Sequence, residues 1–469
     1  MKVLHIASEC YPLIKTGGLA DVLGALPWAQ AQSGADVRVV LPYYPAVAEL
    51  LPKAQPIDEL HTFAGTIILR EASYQGLSLY LLDAAHLFAR HGNPYHNADY
   101  QDYPDNVYRF AALAWVGASL AAGLDQRWGR ADVLHAHDWQ AGLACAYISH
   151  WRVRLKTVFT VHNLAYQGLF AAWHLTELDL PSSMFAIEGL EFHGQLSMLK
   201  AGLYYADEIT TVSQSYAQEI TDKMYGYGLH GLLQHRAAQG RLHGILNGID
   251  PKIWAPETDP YIAQNYSRVK TLKHKTESKY ALQQRFGLSE DANKLLLVMV
   301  SRLTEQKGAD ILLEALPRIL SDQDVQFVLL GSGEPSLSEA FARLAADYPQ
   351  QVGVHIGYDE ALAHQLIAGG DVIVVPSRFE PCGLTQLYGM AYGTLPLVRH
   401  VGGLGDSVRD GQTGFVFHQA NAEDLFEAYQ RVRTRWDKPR SWQYAQRQAM
   451  AEDFAWANAA QRYLELYAQ

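Results

Sequence analysis

Strand-like and helix-like segments alternate along this chain in two separate series, and this alternation constrains its fold more than any other feature. The strand-like runs of the first half cover residues 2–7, 37–41, 133–137, 157–162 and 208–213. Those of the second half cover residues 295–300, 325–330, 352–356, 372–376 and 395–399. Strands that alternate with helices form parallel sheets from βαβ units. The sequence therefore predicts an α/β fold with two Rossmann-like domains, for which 469 residues are sufficient.

The pair Asn247-Gly248 is a strong turn signal and marks the crossover between the two series. It predicts an N-terminal domain over residues 1–246 and a C-terminal domain over residues 247–450. Residues 451–469 are expected to form a helix that packs back on the N-terminal domain, with Asp453 as the cap of a helix over 454–467. One side of that helix would carry Trp456, Tyr463, Leu464 and Tyr467.

The charge of the chain argues against a nucleic-acid partner. Its formal net charge is −11 and its isoelectric point is near 5.9. A protein that grips the phosphates of DNA or RNA normally presents a basic face. Small phosphate ligands remain possible, because a local pair of cations is enough to hold them.

The apolar segments and the cysteines indicate a cytoplasmic protein without a membrane span. The longest uncharged apolar run, residues 110–124, has 15 residues, whereas a helix needs about 20 to cross a bilayer. We therefore expect a buried helix there. The first apolar run is too short for a signal peptide. Cys10, Cys145 and Cys382 form no C-x-x-C pair, which suits a reducing cytosol and excludes a disulfide scaffold.

Ligands of doubly wound sheets bind at the carboxyl ends of the strands, so the residues that follow strands carry the functional information. Two facing domains of this kind would place a catalytic cleft at those ends. After the first strand, Lys15 precedes Gly17 and Gly18 at the start of a helix. Amides at such a helix start, together with the lysine, could hold an anion. The alternative is a plain glycine-rich turn, since the stretch is neither a Walker sequence nor a complete G-x-G-x-x-G.

A second pair of cations, Arg302 and Lys307, follows the first strand of the second half. A departing pyrophosphate needs positive charge where negative charge develops, and arginine with lysine can supply it without a metal ion. A solvated basic turn is the alternative. We expect neither a metal ion nor another cofactor.

Residues 377–386 form the most specific stretch of the chain. Glu380 stands where a carboxylate could hold sugar hydroxyls, and the amides of Gly383, Leu384 and Thr385 would be unpaired at a helix N-terminus. Cys382 is expected to contribute its backbone; a nucleophilic role is the weaker alternative.

His135-Ala136-His137-Asp138 and Val161-His162-Asn163 end two strands of the first half. The pattern H-x-H-D suggests a metal site, but no further ligands occur at a helpful spacing. Asp138 and His162 are better interpreted as contacts to a sugar, with core or turn histidines as the alternative. Asp322-Gln323-Asp324 matches a D-x-D metal signature, yet it precedes a strand, which indicates a surface turn.

Taken together, these stretches resemble the bacterial glycogen synthases and plant starch synthases of glycosyltransferase family 5. The resemblance is carried by KTGGLADV (15–22), HAHDW (135–139), TVHNLAYQG (160–168), LNGID (246–250), SRL with QKG (301–303 and 306–308), PSRFEPCGL (376–384), TLP (394–396) and GGL (402–404). These motifs span nearly the whole chain in the order expected for the family.

The resemblance implies the GT-B architecture and metal-independent transfer of glucose, with retention of configuration, to the non-reducing end of an α-1,4-glucan such as glycogen. It implies ADP-glucose as the usual donor of bacterial members, with UDP-glucose as the other candidate. It implies that Lys15 contacts the donor, that Arg302 and Lys307 hold its diphosphate, and that Glu380 holds the glucosyl hydroxyls. The residues expected to line the sugar and acceptor subsite are Tyr95, Asp138, His162 and Asn247.

Two further tyrosines enter through the resemblance. Tyr358 is expected to stack on the base of the donor. Many retaining GT-B enzymes carry a second glutamate eight positions after the first, and here that position is Tyr388. Glycogen synthases share this departure, so any role of Tyr388 on the ribose stays open.

The route of retention and the rival functions also stay open in the sequence. A double displacement needs a carboxylate opposite the leaving group, for which Asp138 is the nearest candidate, and a front-face route is equally compatible. A phosphorylase would need a pyridoxal-phosphate lysine and a longer chain. Another glucosyltransferase, a sugar-nucleotide epimerase or a non-catalytic nucleotide-sugar-binding protein would be told apart by whether ADP is released when glucan is supplied.

Overall fold

The computed structural model describes residues 1–97, 99, 101–270 and 272–469. The chain divides into two compact units, which we call unit 1 and unit 2. Unit 1 comprises Met1–Gly248 with Trp456–Gln469, and unit 2 comprises Ile249–Ala455.

Unit 1 contains a nine-stranded sheet and a small three-stranded sheet. Its strands are β1 Lys2–Ile6, β2 Asp36–Pro42, β3 Gln55–Thr62, β4 Gly65–Tyr74, β5 Leu77–Asp83, β6 Val133–His137, β7 Lys156–Val161, β8 Leu169–Ala171, β9 Glu191–Phe192, β10 Gln195–Ser197, β11 Glu208–Thr211 and β12 Leu242–Gly244. The large sheet has the order β12-β11-β7-β6-β1-β2-β5-β4-β3, and β8-β10-β9 form the small one. The strands from β12 to β5 pair in parallel, whereas β4 runs antiparallel to both β3 and β5.

The helices of unit 1 connect these strands. They are α1 Gly18–Leu23, α2 Leu26–Gln32, α3 Pro45–Leu50, α4 Ala85–Phe88, α5 Asn106–Ala122, α6 Asp138–Ala141, α7 Leu143–Trp151, α8 Met198–Tyr205, α9 Gln214–Glu219 and α10 His230–Ala238. The apolar run at 110–124 lies mainly in α5, a buried helix that ends at Gly123 with φ of 108°, as a glycine C-cap requires. Within the described residues, no helix combines the length and apolarity that a membrane crossing needs.

Unit 2 is built on one parallel sheet of six strands. They are β13 Leu295–Leu303, β14 Val325–Gly333, β15 Val352–Ile356, β16 Val372–Val375, β17 Leu395–Arg399 and β18 Phe415–Phe417. Their order is β15-β14-β13-β16-β17-β18. The helices are α11 Lys275–Arg285, α12 Ala309–Ile319, α13 Pro335–Asp347, α14 Glu360–Gly369, α15 Thr385–Ala391, α16 Gly402–Ser407, α17 Ala422–Trp436 and α18 Pro439–Ala449. Leucine, valine and isoleucine fill the strands, and aliphatic residues on both faces are buried, as expected for a parallel sheet covered on two sides.

The last helix, α19 Trp456–Tyr467, packs against α2 within unit 1. It begins two residues later than the sequence predicts. Asp453 lies three residues before the first helical residue, and its Oδ1 accepts a hydrogen bond from the amide of Ala455 at 3.0 Å. On the packed side Leu466 is buried, and the predicted Leu464 is only half-buried, so the helix phase places position 466 on the packed side.

Candidate active-site residues

A polar side chain follows each of three neighbouring strands of unit 1, β1, β6 and β7. Glu9 follows β1, Asp138 follows β6 and His162 follows β7. Strand β1 lies between β6 and β2, where the chain order of the sheet reverses. Such a switch point is the usual ligand site of a doubly wound sheet.

Asp138 occupies a strained position at the start of α6. Its φ is 54°, in the left-handed region that few residues other than glycine adopt. The Oδ1 atom accepts a hydrogen bond from the amide of His162 at 2.7 Å, and the amide of Asn163 also donates to this carboxyl group. Removal from water raises the pKa of Asp138 to about 7. The carboxyl group is therefore held in one orientation and titrates near neutrality.

His162 stands at one end of a row of three histidines, which we call the histidine row. Its Nε2 lies 3.0 Å from Nδ1 of His137, and Nε2 of His137 lies 2.9 Å from Nδ1 of His5. Burial lowers the pKa of His162 to about 3 and that of His5 to about 4, and it holds the pKa of His137 well below 6.5. The row is therefore uncharged at neutral pH.

His5, His135 and His137 approach closely enough for a metal ion, since one ligand atom from each lies within 4.8 Å of the others. All six of their ring nitrogens already hydrogen-bond to protein groups: His5 to His137 and Gln30, His137 to His5 and His162, and His135 to Tyr467 and Thr160. A metal ion would have to break these bonds. The geometry favours a hydrogen-bonded network.

The glycine loop is only partly available to a ligand. The carboxylate of Glu9 accepts hydrogen bonds from the amides of Thr16 and Gly17, the latter at 3.1 Å. The expectation that Gly17 offers its amide to an anion is therefore wrong for this conformation. Gly18 is the first residue of α1, where an amide has no intrahelical partner, and the space beside it is open. Lys15 forms an exposed ion pair with Asp21 at 2.8 Å.

Tyr95 is tied to the same carboxylate. Its hydroxyl donates to Oε1 of Glu9 and lies 2.9 Å from Oγ of Ser8. Burial, together with the nearby carboxylate of Glu9, holds the pKa of Tyr95 well above 10, so the hydroxyl keeps its proton. Glu9, Tyr95 and the glycine loop thus form one connected group.

Asn247, the remaining predicted residue of unit 1, is buried in the segment after β12. Its Oδ1 is buried and accepts no hydrogen bond in the part of the chain that the structure describes. An unpaired buried amide oxygen costs free energy unless a ligand or water satisfies it.

In unit 2 the predicted residues again follow strands. Lys307 Nζ lies 2.5 Å from Oε2 of Glu380, which also accepts from Oγ of Ser377 at 2.9 Å. Glu380 is 6% exposed. Its other oxygen, Oε1, has no hydrogen-bond partner among the residues described. The carboxylate is thus fixed through one oxygen and can accept a hydrogen bond from a ligand through the other.

Arg302 lies in the last part of β13, which runs to Leu303 and not to residue 300 as predicted. Its side chain is exposed, and it forms no hydrogen bond or ion pair with any residue that the structure describes. The guanidinium is therefore uncommitted, unlike that of Arg378, which pairs with Asp310 at 2.7 Å.

The loop that carries Glu380 is supported by two glycines. A Cβ on Gly402, whose φ is 46°, would lie 2.0 Å from the carbonyl oxygen of Glu380, and one on Gly403 would lie 2.1 Å from that of Cys382. Neither position has room for a side chain. Beyond the loop, Gly383 has φ of 69°, Leu384 is the N-cap of α15 and Thr385 is its first residue. The amides predicted to lie at a helix N-terminus do so.

Tyr358 and Tyr388 differ in surroundings. Tyr358 follows β15, is 78% exposed and donates its hydroxyl proton to Glu360. Tyr388 stacks on Trp254 with ring centroids 3.8 Å apart and planes 12° apart. One face of its ring is therefore occupied by the protein.

Asp322 of the D-x-D pattern pairs with Arg433 at 2.9 Å in the turn before β14, as expected for a surface turn.

The sequence analysis gave no site role to four residues of these networks: His5, Glu9, Gln30 and Tyr467, the last of which it named only as part of the last helix. Glu9 shares a strand end with the predicted loop, and that position is the one available signal. The other three are single polar residues in apolar segments, and only the fold brings them together.

Comparison with known proteins covers the whole chain. The family model described as the starch synthase catalytic domain matches residues 2–235, and that of the glycosyl transferases group 1 matches residues 282–449. Glycogen synthase of Actinobacillus pleuropneumoniae serotype 5b is 55% identical over all of this chain and 99% of its own length. The chain belongs to the glycogen synthase and starch synthase family.

Other members of the family agree. Glycogen synthase of Glaesserella parasuis is 56% identical over 100% of this chain and 99% of its own length. The structure of the catalytic domain of starch synthase IV from Arabidopsis thaliana, bound to ADP and acarbose, superposes with a TM-score of 0.87 at 30% identity, over 100% of this chain and 98% of that one. The predicted GT-B fold class is thereby confirmed, and the chain is a glycosyltransferase.

Proposed function

We propose that this protein is a glycogen synthase, which transfers glucose from ADP-glucose to the non-reducing end of an α-1,4-glucan with retention of configuration. Its relatives of known name and the ADP in the starch synthase IV structure support this donor and this acceptor. The cytoplasm is the proposed location, in line with the composition of the sequence.

The observation that carries the proposal is the state of Arg302, Lys307 and Glu380 at the carboxyl ends of β13 and β16. The guanidinium of Arg302 has no partner among the described residues. The ammonium group of Lys307 pairs with Glu380. Two cations at the end of the same strand can stabilise a leaving diphosphate, and the open oxygen of Glu380 can accept from a hydroxyl of the attached sugar. A nucleotide-diphosphate sugar presents these two groups side by side.

The residues of unit 1 are assigned to the sugar and the acceptor. Asp138 and His162 are held in fixed orientations by their hydrogen bonds, and the unpaired Oδ1 of Asn247 would gain a partner from a hydroxyl group. The hydroxyl of Tyr95 donates its one proton to Glu9, so it can only accept from a sugar hydroxyl. Lys15 would reach the donor after release from Asp21, an exposed pair that contributes little to stability.

Backbone N–H groups are proposed to donate to the phosphates and the sugar. They belong to Gly18, Cys382, Gly383, Leu384 and Thr385. Tyr358 contributes an exposed ring on which the base can stack. Unit 1 is thus the acceptor side and unit 2 the nucleotide side.

The transfer itself breaks the bond between C1 of glucose and the diphosphate oxygen, and the electron pair leaves with ADP. Arg302 and Lys307 stabilise the charge that develops there. The 4-hydroxyl of the glucan end attacks C1 from the same side, forms the new glycosidic bond and gives its proton to the departing diphosphate oxygen. The products are ADP and a glucan longer by one glucose.

The test is nucleotide release from ADP-glucose and from UDP-glucose, each with and without glycogen, in the presence and absence of EDTA. We expect ADP release that depends on glycogen and persists in EDTA, with lengthening of the glucan and an α-linked product by NMR. Arg318→Ala, at an exposed arginine of unit 2, serves as the control variant. Donor consumption without glucan lengthening, or a strict need for a divalent ion, would reject the proposal.

A further inference from the structure

The histidine row continues beyond His5 to a buried glutamine. Oε1 of Gln30, on α2, lies 2.7 Å from Nε2 of His5. Gln30 and His5 are both 0% exposed. An unbroken line of hydrogen bonds therefore runs from Gln30 through His5 and His137 to His162.

Every imidazole in this line has one proton to give and one lone pair to offer. Burial keeps the pKa of each of the three histidines far below neutrality, as described above, so each ring carries a single N–H. In a bond between two such rings, one nitrogen must donate and the other must accept. The direction of the first bond thus fixes the direction of all that follow.

The first bond is set by the amide of Gln30. Its Oε1 can only accept, so Nε2 of His5 donates and Nδ1 of His5 accepts from Nε2 of His137. Nδ1 of His137 then accepts from Nε2 of His162. The proton of His162 is placed on Nε2, and its Nδ1 is left with a lone pair and with no partner in the described chain.

The amide of Gln30 also sets the direction of a second branch of hydrogen bonds. Its Nε2 donates to the hydroxyl of Tyr467 at 3.0 Å. That hydroxyl donates in turn to Nδ1 of His135 at 2.6 Å, and Nε2 of His135 donates to Oγ1 of Thr160 at 2.6 Å. Reversal of the amide would require every bond in both branches to reverse together.

We propose that Gln30 is a positioning residue for the transferase reaction: acting through His5 and His137, it fixes His162 as the tautomer whose Nδ1 accepts a hydrogen bond from a hydroxyl of the bound sugar. This inference rests on the proposed function for the placement of His162 at the sugar. Gln30 itself touches no reacting atom.

The direct test is the tautomer of His162, read from the ring ¹⁵N signals of protein labelled with ¹⁵N-histidine and assigned by their loss in His162→Asn. In the wild-type protein we expect the proton on Nε2. Gln30→Met fills the same space without an acceptor and should produce a mixture of tautomers. Gln30→Glu, whose carboxyl group is kept neutral by burial, can accept from His5 through one oxygen and donate to Tyr467 through the other, and should retain the wild-type signal.

A control separates positioning from packing. Gln283→Met removes another fully buried glutamine, in unit 2, which donates to Asp291 and Gln326. We expect it to lower the melting temperature without changing the ¹⁵N signals of His162. If Gln30→Met has the wild-type tautomer of His162, or if the wild type itself carries the proton on Nδ1, the proposal is overturned.

Kinetics give the second readout. Loss of one neutral hydrogen bond to the sugar should lower kcat/KM for ADP-glucose about tenfold in Gln30→Met, with recovery in Gln30→Glu. If the protein transfers no glucose at all, the proposed function fails, whereas the NMR result still decides whether Gln30 sets the tautomer. A changed tautomer with unchanged kcat/KM would show that Nδ1 of His162 does not serve the sugar, and would reject the catalytic part of the inference.

Discussion

Lys307 and Glu380 form a short ion pair, with Nζ 2.5 Å from Oε2, although the two residues come from the ends of different strands, β13 and β16. Both side chains are largely shielded from water, with 19% and 8% of their surfaces exposed. The pair makes the cation that is proposed to bind diphosphate also the group that orients the carboxylate proposed to bind glucose. Its two members are expected to depend on one another.

Lys307→Met should lower kcat on the order of 100-fold or more, because it removes a charge aimed at the departing diphosphate and releases Glu380 as well. The combined variant with Glu380→Gln should lose less activity than the product of the two single losses, since residues in contact are not additive. Steady-state ADP release measures all three. The exposed pair Arg318–Glu423, with more than half of each side chain in solvent, gives the control. Fully additive losses would contradict the coupling.

Arg302→Ala should reduce turnover on the order of 100-fold while leaving the melting temperature unchanged, because the side chain has no protein partner to lose within the described residues. Arg302→Lys should recover part of the activity, since it restores charge without the planar fork of the guanidinium. Arg343→Ala, at a surface arginine that is 70% exposed, is the matched control. The role of Arg302 is refuted by near-normal turnover of the alanine variant.

The pH profile of kcat/KM should have an acidic limb that is set by Asp138, because the pKa of this residue is raised to about 7. If the ionised form holds the sugar, kcat/KM falls as the pH drops through about 7, and Asp138→Asn, which can still accept from the amide of His162, loses this limb. A profile with the same limb in Asp138→Asn would assign it to another group.

The same shift predicts an effect on stability. The unfolded chain has a carboxyl pKa of about 4, so between about pH 4 and 7 the folded state binds the proton more tightly, and stability falls as the pH rises through that window. Asp138→Asn should therefore gain in melting temperature relative to the wild type at pH 8 and show no such gain at pH 4. Thermal melts at both values are the measurement, and equal differences at both would argue against a buried charge.

Gly402→Ala should abolish most activity, because its Cβ would lie 2.0 Å from the carbonyl oxygen of Glu380 and must displace that loop. Gly411→Ala offers a matched control in the same unit: Gly411 also has a positive φ, of 66°, but nothing lies within 4 Å of the added atom. Both variants carry backbone strain, and only the first disturbs Glu380. Comparable activity of the two proteins would show that the contact with Glu380 is unimportant.

The strand ends and their residues could be predicted from sequence because they depend on local signals. β6, β15 and β17 have the predicted bounds, since each is followed directly by a polar or glycine residue. For the same reason the predicted site residues lie at the carboxyl ends of parallel strands. They are Asp138, His162, Arg302, Lys307 and Glu380. Their individual roles are still predictions, and the variants above test them.

The residues and strands that could not be predicted depend on contacts between distant parts of the chain. Glu9 was missed because its carboxylate accepts from the amides of Thr16 and Gly17, which were expected to bind a ligand. No sequence spacing predicts these two hydrogen bonds. Gln30 and Tyr467 hydrogen-bond across 437 positions of sequence. The antiparallel edge formed by β3 and β4 was also missed, because β3 is mostly polar and exposed and β4 has only a short apolar run.

Helix α19 gives unit 1 an unusual order of assembly during synthesis. The ribosome makes residues 456–469 only after the whole of unit 2. Unit 2 is one continuous stretch of chain and can fold at once, whereas unit 1 lacks its last helix until those residues are made. Until α19 arrives, the amide of Gln30 and the ring of His135 lack the hydroxyl of Tyr467. The hydrogen-bond network that reaches His162 is therefore completed only after unit 2 has been made.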